Sequence, residues 1–346
     1  MRKVKFGIIG TGMIAQMHAD AIRLADNAEL VIVYDKVTER AAEFAVKNNC
    51  AYAVSFEEFL ASDIEAVTIG TPSGLHGEVA IAAAKAKKHI LCEKPLEVTL
   101  EKTDAIIKAC DENNVILSSV FQVRYSRTAQ IVKKAIDDGR FGKPVLASAS
   151  VRWFRTPEYY LNGKWRGTWA LDGGGALMNQ GIHALDLMLY FNGDVSEVKG
   201  HSTNILHKTI EVEDTVNALL VFKNGSFGYM EASTACAPGF PRRIELSGTC
   251  GSVVLEDDRI VRWQFAEERP EDEEIRLKYA SGEGMQGGSG DPTAITCEGH
   301  RRQIIDLAEA ICNGTPLRIP GREGRRAVEV ICAVYESAKS GRTINL

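Results

Sequence analysis

Lys94 is the first side chain whose type and setting could do chemistry. It lies in the tripeptide Glu93-Lys94-Pro95, directly after the apolar run His89-Ile90-Leu91-Cys92. Pro95 has no backbone N–H and fixes the chain direction, so the ammonium group should occupy a defined place. A positive charge held in this way can stabilise negative charge that develops on a substrate oxygen. An exposed lysine paired with Glu93 is the ordinary alternative.

His183 is the second such side chain. It lies on a predicted helix, Gly174–Phe191, with Asn179 four residues before it and Asp186 three residues after it. At helical spacing these polar residues share one stripe beside an apolar one. The pKa range of an imidazole suits a general base, and a structural histidine is the common alternative. His183 and Asp186 are too few ligands for a metal centre, so we predict none.

A scaffold for these side chains begins at the first residues. The apolar strand Phe6–Ile9 runs into Gly10-Thr11-Gly12-Met13-Ile14-Ala15 and an amphipathic helix. Gly10 permits a tight turn, Gly12 lets a pyrophosphate approach the backbone, and Ala15 allows close helix–strand packing. The helix N-terminus supplies N–H groups and a positive dipole end for phosphates. The turn therefore predicts dinucleotide binding.

The choice of dinucleotide depends on the end of the second strand. Leu30-Val31-Ile32-Val33-Tyr34 is followed by Asp35, where a carboxylate would bind the adenosine ribose hydroxyls. The same carboxylate would repel a 2′-phosphate, which favours NAD over NADP. Lys36 and Arg40 follow closely enough to soften this preference. The predicted binding residues on these two segments are Gly10, Thr11, Gly12, Met13, Ile14, Asp35 and Lys36.

The alternation of elements predicts the fold class. Strand and helix alternate over about the first 120 residues, as in a doubly wound parallel sheet of Rossmann type. The strand Glu65–Gly70 brings the turn at residues 71–76 to the carboxyl edge of this sheet, where ligands bind in open α/β folds. We therefore expect an α/β protein with a dinucleotide-binding domain over residues 1–122 and a second domain over 123–346.

The second domain is predicted to be α+β with a mostly antiparallel, open sheet. Strand-like runs follow one another, and Asn224-Gly225 between two of them is a hairpin signal. Gly174–Phe191 and Gly299–Asn313 are the helices expected to cover one face, so the other face meets water or another subunit. The acidic run Glu267–Glu274 is predicted to be a solvated loop, and Ser281–Asp291 a mobile one.

Composition excludes several function classes. The net charge is −5, with 45% hydrophobic and 25% charged residues, and no Lys/Arg run suggests nucleic-acid binding. No apolar stretch is long enough for a membrane span, and the first strand begins too early for a signal peptide. The eight cysteines form no C-x-x-C pair, so we expect neither a zinc knuckle nor a redox dithiol, and a reducing cytoplasm.

Three motifs together resemble one family. Gly10-Thr11-Gly12-Met13-Ile14-Ala15, then Glu93-Lys94-Pro95, then the glycine triplet followed by Asn179-x-Gly181-x-His183 occur in the order found in the glucose–fructose oxidoreductase/inositol dehydrogenase (Gfo/Idh/MocA) family. The resemblance spans nearly the whole chain. It implies a nicotinamide-dependent oxidoreductase that transfers a hydride between a ring hydroxyl of a sugar, sugar derivative or cyclic polyol and the cofactor.

The resemblance also implies roles for particular residues. Lys94 and His183 correspond to the catalytic pair, and His183 would take the hydroxyl proton while Lys94 stabilises the alkoxide. Many members have aspartate where this chain has Asn179, which places more of the acid–base work on His183. The cofactor groove would be completed by Thr71, Pro72, His76, Glu93, Lys94 and Gln122. The expected substrate contacts are Lys94, Arg124, Tyr125, Arg152, Trp165, Arg166, Asn179 and His183.

Substrate and reaction remain open in two respects. The run Trp165-Arg166-Gly167-Thr168 followed by Asn179 resembles members that oxidise a nucleotide-linked hexuronic acid at C3, and a packed loop anchored by tryptophans is the alternative. Some relatives keep NAD tightly bound and recycle it, so that C3 oxidation drives glycoside cleavage. A non-catalytic NAD-binding sensor would need neither Lys94 nor His183. Fold-level analogy predicts a homodimer or homotetramer.

Overall fold

The structure is a computed structural model that describes residues 2–161, 165–281 and 296–346. The chain divides into two compact units. The first contains the residues up to Gln122 together with Cys297–Val328, and the second contains Val123–Thr296 together with Glu329–Leu346. No helix in the described parts of the chain is both long enough and apolar enough to cross a membrane.

The first unit is built on a parallel sheet with six strands in the described residues, in the order β3-β2-β1-β4-β5-β6. This is the doubly wound order in which the connections reverse direction between β1 and β4. The strands are β1 (Val4–Ile9), β2 (Ala28–Tyr34), β3 (Ala51–Tyr52), β4 (Ala66–Ile69), β5 (His89–Cys92) and β6 (Leu117–Ser119). The Rossmann prediction for this half is confirmed.

Helices cover both faces of the parallel sheet. Ser55 and Thr99 cap α3 and α5, because each side-chain oxygen accepts the N–H of the residue three positions later. Phe6 and Phe59 are fully buried in the cores on this sheet, and each such ring contributes about 1.5–3 kcal/mol relative to an exposed one. The helices are α1 (Met13–Leu24), α2 (Thr38–Asn48), α3 (Phe56–Ala61), α4 (His76–Lys85) and α5 (Leu100–Asn113).

Helix α10 (Glu298–Asn313) corrects one prediction. We expected Gly299–Asn313 to cover the second sheet, but Ile304, Leu307 and Ala308 lie in the core of the first unit with Val4 and Phe6. The amphipathic pattern predicted a buried face correctly and could not specify which sheet it packs on. The compact first unit therefore includes a segment, Cys297–Val328, that the sequence-based division at 122/123 assigned to the second domain.

The second unit contains a sheet with eight strands in the described residues, in the order β13-β12-β11-β7-β10-β9-β8-β14. Only the pair β7/β10 is parallel among these, which confirms the mostly antiparallel prediction. The strands are β7 (Pro144–Arg152), β8 (Val195–Thr203), β9 (Thr215–Phe222), β10 (Phe227–Ser233), β11 (Arg243–Gly248), β12 (Gly251–Glu256), β13 (Arg259–Phe265) and β14 (Ile344–Asn345). Gly225, with φ of 85°, turns the predicted β9/β10 hairpin.

The helices of the second unit pack on one face of this sheet. Gly181 lies so close to Met230 and Ala232 of β10 that a Cβ there would be 3.0 and 3.1 Å from their side chains. The helices are α6 (Arg127–Asp137), α7 (Pro157–Leu161), a π-helical segment Ala176–Gly181, α8 (Ile182–Asn192), α9 (Pro270–Tyr279) and α11 (Gly321–Ser340), which begins in the first unit. Short 3-10 turns lie at Ser73–Leu75 and Gln122–Tyr125.

The acidic run Glu267–Glu274 is not a loop. It contains the start of α9, because Pro270 occupies the first turn and Asp272 accepts the backbone N–H of Arg269. Asp272 is fully buried and binds Arg140, so this charge is part of the packing rather than of a solvated surface. The predicted mobile loop Ser281–Asp291 lies, apart from Ser281, outside the described residues.

Candidate active site

The glycine turn after β1 has the geometry that a bound pyrophosphate needs. Gly10 has φ of 89°, and a Cβ there would lie 2.9 Å from the carbonyl oxygen of Gly70. Gly12 begins α1, and a Cβ built on it would have no described atom within 4 Å. The turn therefore leaves open space at the positive end of a helix, where its first N–H groups can bind phosphate oxygens.

Asp35 is held at the end of β2 by three hydrogen bonds. Its Oδ2 accepts the backbone N–H of Thr11 at 2.8 Å and the Thr11 hydroxyl at 3.0 Å, and its Oδ1 accepts the N–H of Val37 at 2.9 Å. The carboxylate is thereby fixed beside the glycine turn. Lys36 and Arg40 are exposed nearby in the chain.

Two polar atoms at the same sheet edge fit a bound dinucleotide. The Thr71 hydroxyl and the Gln122 side-chain oxygen are buried, and neither has a hydrogen-bond partner among the described residues. Buried polar atoms are usually paired, so a ligand that supplies hydrogen bonds is compatible with both. Together with the open space at Gly12, this arrangement fits a nicotinamide dinucleotide lying along the carboxyl edge.

His76 does not line an open groove. Only 1% of its surface is exposed, and its two ring nitrogens lie 2.8 Å from the Pro95 carbonyl oxygen and 2.9 Å from that of Thr71. Burial lowers the pKa of this imidazole, although the two carbonyls favour its protonated form. His76 therefore connects the turn after β4, at Thr71, to the Lys94-Pro95 segment, at Pro95.

Glu93 is also buried, in a cluster with two histidines that sequence reasoning missed. His18 Nε2 lies 2.9 Å from Glu93 Oε1, and His300 Nε2 lies 3.6 Å from the same oxygen. Burial would raise the pKa of the Glu93 carboxyl, but the hydrogen bond and charge of the histidines hold that pKa well below its usual range. No local spacing could have found this cluster, because its members come from α1, the end of β5 and α10.

Lys94 lies two residues after the end of β5 and is half-buried. Its backbone N–H donates to Glu93 Oε2 at 3.2 Å, so the buried carboxylate also orients the lysine backbone. The predicted cofactor residues at the ends of β1, β2, β4, β5 and β6 thus share one edge of the first unit.

The segment with Asn179 and His183 is π-helical before it is α-helical. The π turn Ala176–Gly181 carries Asn179, and His183 is the second residue of α8 and half-buried. A π-helix has a wider turn than an α-helix, so the predicted stripe through Asn179, His183 and Asp186 is interrupted. π-bulges occur frequently at functional sites, which fits this position.

A carboxylate lies behind Asn179. The Asn179 amide nitrogen is 2.5 Å from Oδ1 of the buried Asp172, whose Oδ2 accepts the N–H of Gly167 at 2.8 Å. The amide oxygen of Asn179 accepts from Gln180 Nε2 at 3.1 Å. The negative charge that the sequence lacks at position 179 is therefore present one hydrogen bond away. The glycine-rich stretch before the helix was the signal for this segment.

Arg124 and Asp186 bind each other inside the second unit. The guanidinium donates to Asp186 Oδ2 at 2.8 Å and to Oδ1 at 2.6 Å, and both side chains are buried. Arg124 also lies over the Tyr190 ring at 4.7 Å. Tyr125 is buried next to it. We predicted Arg124 and Tyr125 as substrate contacts; the structure places both in the packing of this unit.

Arg152 lies on the open face of the second sheet. It ends β7 and pairs with Glu231 of β10, while the alternate residues Ala149, Val151 and Ala232 are buried on the helix-covered face. Since successive residues of a strand point to opposite faces, the sheet separates Arg152 from the π turn. The structure therefore does not bring this predicted substrate residue together with His183.

Arg166 and Trp165 form an aromatic and cationic patch with Tyr159. The Arg166 guanidinium lies 4.5 Å from the Tyr159 ring centre and 5.2 Å from that of Trp165. Arg155, which sequence reasoning missed, lies 5.5 Å from the same tyrosine ring and donates to Gln180 at 3.2 Å. Burial and the charge of Arg166 lower the pKa of Arg155. The patch can receive an anion.

A doubly wound parallel sheet with a glycine turn at its switch point and a carboxylate after β2 is typical of NAD-binding domains. Residues 4–121 match the model of an oxidoreductase family with an NAD-binding Rossmann fold, and residues 129–254 match the GFO/IDH/MocA C-terminal domain. The chain belongs to the GFO/IDH/MocA oxidoreductase family.

Three relatives show the range of the similarity. Myo-inositol 2-dehydrogenase of Thermotoga maritima is 27% identical over 99% of this chain and 98% of its own. 1,5-anhydro-D-fructose reductase of Ensifer adhaerens is 30% identical over 72% of this chain and 75% of its own. The crystal structure of the WlbA dehydrogenase from Bordetella pertussis, in complex with NADH and UDP-GlcNAcA, is 33% identical, covers 100% of this chain and 98% of its own, and has a TM-score of 0.90.

Proposed function

We propose that this protein uses NAD to oxidise a secondary ring hydroxyl of a sugar derivative, and that the sugar carries a carboxylate, as in a nucleotide-linked hexuronic acid. The observation that carries this proposal is the full-length similarity to a dehydrogenase crystallised with NADH and UDP-GlcNAcA, at 33% identity and a TM-score of 0.90. The inositol and anhydrofructose enzymes support the wider class of sugars and polyols.

His183 is proposed to accept the proton of the ring hydroxyl. Its position in the first turn of α8 and its half-buried state allow contact with a ligand. Lys94 is proposed to stabilise the oxygen as it loses this proton, since an ammonium charge at a fixed site lowers the energy of a developing alkoxide. NAD, when bound, supplies the hydride acceptor.

The residues proposed to hold NAD are those at the edge of the parallel sheet. Gly10 and Gly12 leave the backbone open to the pyrophosphate, Asp35 accepts the ribose hydroxyls, and Thr71 and Gln122 have buried oxygens available for hydrogen bonds. These residues bind and orient the cofactor and take no part in proton transfer.

The preference for an acidic sugar rests on Arg155 and Arg166. Both guanidinium groups lie at the Tyr159 ring, and burial lowers the pKa of Arg155, with a smaller effect in the same direction from the charge of Arg166. A carboxylate placed between them would relieve this repulsion and could form charge-assisted hydrogen bonds. Trp165 adds an aromatic face of the kind that packs on a sugar ring.

A substrate panel tests the proposal. NADH formation is measured with cyclic polyols, free hexoses, UDP-hexoses and UDP-hexuronic acids, using the wild type, Arg166→Met and, as a matched control, Arg259→Met on the second sheet. We expect the highest kcat/KM with an acidic UDP-sugar and a rise in KM of about tenfold or more in Arg166→Met only, equivalent to about 1.4 kcal/mol.

Two outcomes would change the proposal. Equal turnover of neutral and acidic sugars would remove the carboxylate preference. Absence of NADH together with cleavage of a glycoside would favour the reaction in which tightly bound NAD is recycled within one turnover, since that reaction produces no net NADH.

We further propose that the protein acts as a cytoplasmic homodimer or homotetramer assembled on the open face of the second sheet. Phe227 of β10 pairs with Leu146 of β7, and Tyr229 pairs with Leu219 of β9, so these four exposed apolar side chains form one patch. Such a patch is rare on a monomer and is surrounded here by charges of both signs, such as Arg152 and Glu231.

A further inference from the structure

Glu213 occupies a position that the proposed reaction does not explain. It lies just before β9, is only 4% exposed, and accepts three hydrogen bonds. Its Oε2 accepts the N–H of Gly175 at 2.9 Å, and its Oε1 accepts the N–H of Leu177 at 2.9 Å and the hydroxyl of Tyr335 at 2.9 Å. One carboxylate thus binds Gly175, the residue before the π turn, and Leu177, the second residue of the turn.

The glycines before the π turn leave no room for a side chain beside Glu213 and Tyr335. A Cβ on Gly175 would lie 1.8 Å from the Glu213 carbonyl oxygen, and one on Gly174 would lie 2.1 Å from the Tyr335 hydroxyl. The Glu213 carbonyl also accepts the N–H of Ala176 at 3.1 Å. The backbone of residues 174–177 is therefore clamped between Glu213 and Tyr335.

The clamp acts on the segment that carries the site. Asn179 lies two residues after Leu177 on the π turn, and His183 follows at the start of α8. The first N–H groups of a helix have no partner within it, so an acceptor from outside sets their direction. A negative charge at this end also interacts favourably with the helix dipole.

We propose that Glu213 is a positioning residue: its carboxylate, by accepting from Gly175, Leu177 and Tyr335 together, sets the backbone of the π turn and with it the placement of Asn179 and His183. This inference rests on the proposed function, because it takes His183 as the base. In this proposal Glu213 acts only through the backbone that it binds.

Protonation should loosen the clamp. Burial raises the pKa of the Glu213 carboxyl to about 7, against the lowering effect of the hydrogen bonds from Leu177, Gly175 and Tyr335. Below that pH the carboxyl carries an O–H and loses its negative charge, which weakens the three hydrogen bonds that it accepts. The other titratable groups at this place are Tyr335 on α11, Asp172 in the glycine-rich stretch, Tyr160 on α7 and the adjacent Asp214.

The experiment is the pH dependence of kcat and KM for three proteins. The wild type should lose kcat as pH falls through about 7. Glu213→Gln should have a kcat lower by about tenfold to a hundredfold and an unchanged Kd for NAD. It should lose only the part of the acid limb that comes from Glu213, while the loss of kcat that comes from protonation of the proposed base, His183, remains. Tyr335→Phe keeps the carboxylate and removes one donor to it, so the acidic limb should move to higher pH.

Controls separate this inference from the proposed function. Glu197→Gln, the same change at an exposed glutamate of β8, should behave as the wild type. Infrared difference spectra should show one carboxyl that titrates near pH 7 in the wild type and is missing in Glu213→Gln. If Glu213→Gln does not fold, the pH profiles of the wild type and of Tyr335→Phe still test the positioning role of Glu213.

The positioning role of Glu213 and the assignment of His183 as the base fail on different results. If His183→Ala abolishes turnover while Tyr335→Phe and Glu213→Gln keep the wild-type kcat and pH profile, the positioning role of Glu213 is overturned. If His183→Ala retains full turnover, the assignment of the base fails, whereas the infrared titration of Glu213 is unaffected.

Discussion

In the proposed cofactor site, Asp35 is the side chain expected to select NAD over NADP. Three hydrogen bonds from Thr11 and Val37 fix its carboxylate beside the glycine turn, so it cannot easily swing away from a 2′-phosphate. We therefore expect the preference for NAD to depend on this fixed charge. It should respond to removal of that charge at constant shape.

Asp35→Asn is expected to raise the ratio of kcat/KM for NADP to that for NAD by about tenfold, equivalent to about 1.4 kcal/mol. The amide is isosteric, removes the repulsion, and gives the exposed Lys36 and Arg40 more influence. Initial rates with both cofactors provide the measurement. Glu39→Gln on α2 is the matched control and should leave the ratio unchanged; an unchanged ratio in Asp35→Asn would mean that another group selects the cofactor.

The residues with sequence-local geometry were predictable. The spacing of Gly10, Gly12 and Ala15 predicts the turn because each position has one steric requirement, and the structure has φ of 89° at Gly10. His18 and His300 were not predictable, because they meet Glu93 only after α1 and α10 have packed. Single residues that depend on long-range packing leave no pattern in the chain.

Helix α9 is an element whose charge pattern led to a wrong prediction of its secondary structure. Seven acidic or polar positions look like a solvated loop, but Asp272 is fully buried and binds Arg140 at 2.7 and 2.6 Å and Trp263 Nε1 at 2.6 Å. The proline at the start of α9 was the signal for a helix that the sequence analysis did not use. The bond to Trp263 attaches α9 to β13, and the pair with Arg140 attaches α9 to the segment between α6 and β7.

Asp272→Asn is expected to lower the free energy of unfolding by about 3 kcal/mol at neutral pH, because it leaves the Arg140 charge buried without a counter-charge. Burial would raise the pKa of Asp272, but Arg140, the Arg269 N–H and Trp263 lower it far more. Since the folded pKa is depressed, this stabilisation is present above about pH 4 and is lost as pH falls below it.

Urea unfolding of both proteins at neutral and acid pH measures this difference. The difference in the free energy of unfolding between wild type and Asp272→Asn should become smaller at acid pH. Asp138→Asn, which removes an exposed partner of Lys134, is the control and should change stability little. A small effect of Asp272→Asn at neutral pH would show that packing, not charge, holds α9.

The π turn marks the limit of periodicity arguments. The spacing of Asn179, His183 and Asp186 assumes an α-helix throughout, whereas Ala176–Gly181 has a wider turn. Asp186 accordingly faces Arg124 in the packing, and His183 remains half-buried. The glycine triplet indicated close backbone contact, but the contacting residues are distant in the chain: Glu213 lies 38 residues after Gly175, and Tyr335 lies 157 residues after Met178.

At the scale of the whole molecule, the alternation of strand and helix followed by a run of strands was sufficient to predict both sheets. The location of α10 was not predictable, since its apolar face would fit either sheet and only packing with Val4 and Phe6 decides. The chain therefore returns to its first compact unit after completing the strands β7 to β13.

The proposed assembly makes a prediction at this scale. Phe227→Asp places a charge at the centre of the apolar patch, where Phe227 is 60% and Leu219 is 66% exposed. We expect the mass from light scattering to fall from that of a dimer or tetramer to a smaller species. Val46→Asp, at an exposed valine on α2, should keep the wild-type mass; a monomeric wild type would exclude the assembly.

The proposed reaction makes Lys94 and His183 the catalytic pair for NAD-dependent oxidation of a sugar ring hydroxyl. The most direct test is the rate of NADH formation by the wild type, Lys94→Ala and His183→Ala on the substrate identified from the panel, with Lys47→Ala as a surface control. We predict that kcat falls by about a hundredfold or more in the first two variants, while the Kd for NAD changes little. Full turnover by Lys94→Ala on that substrate would contradict the account.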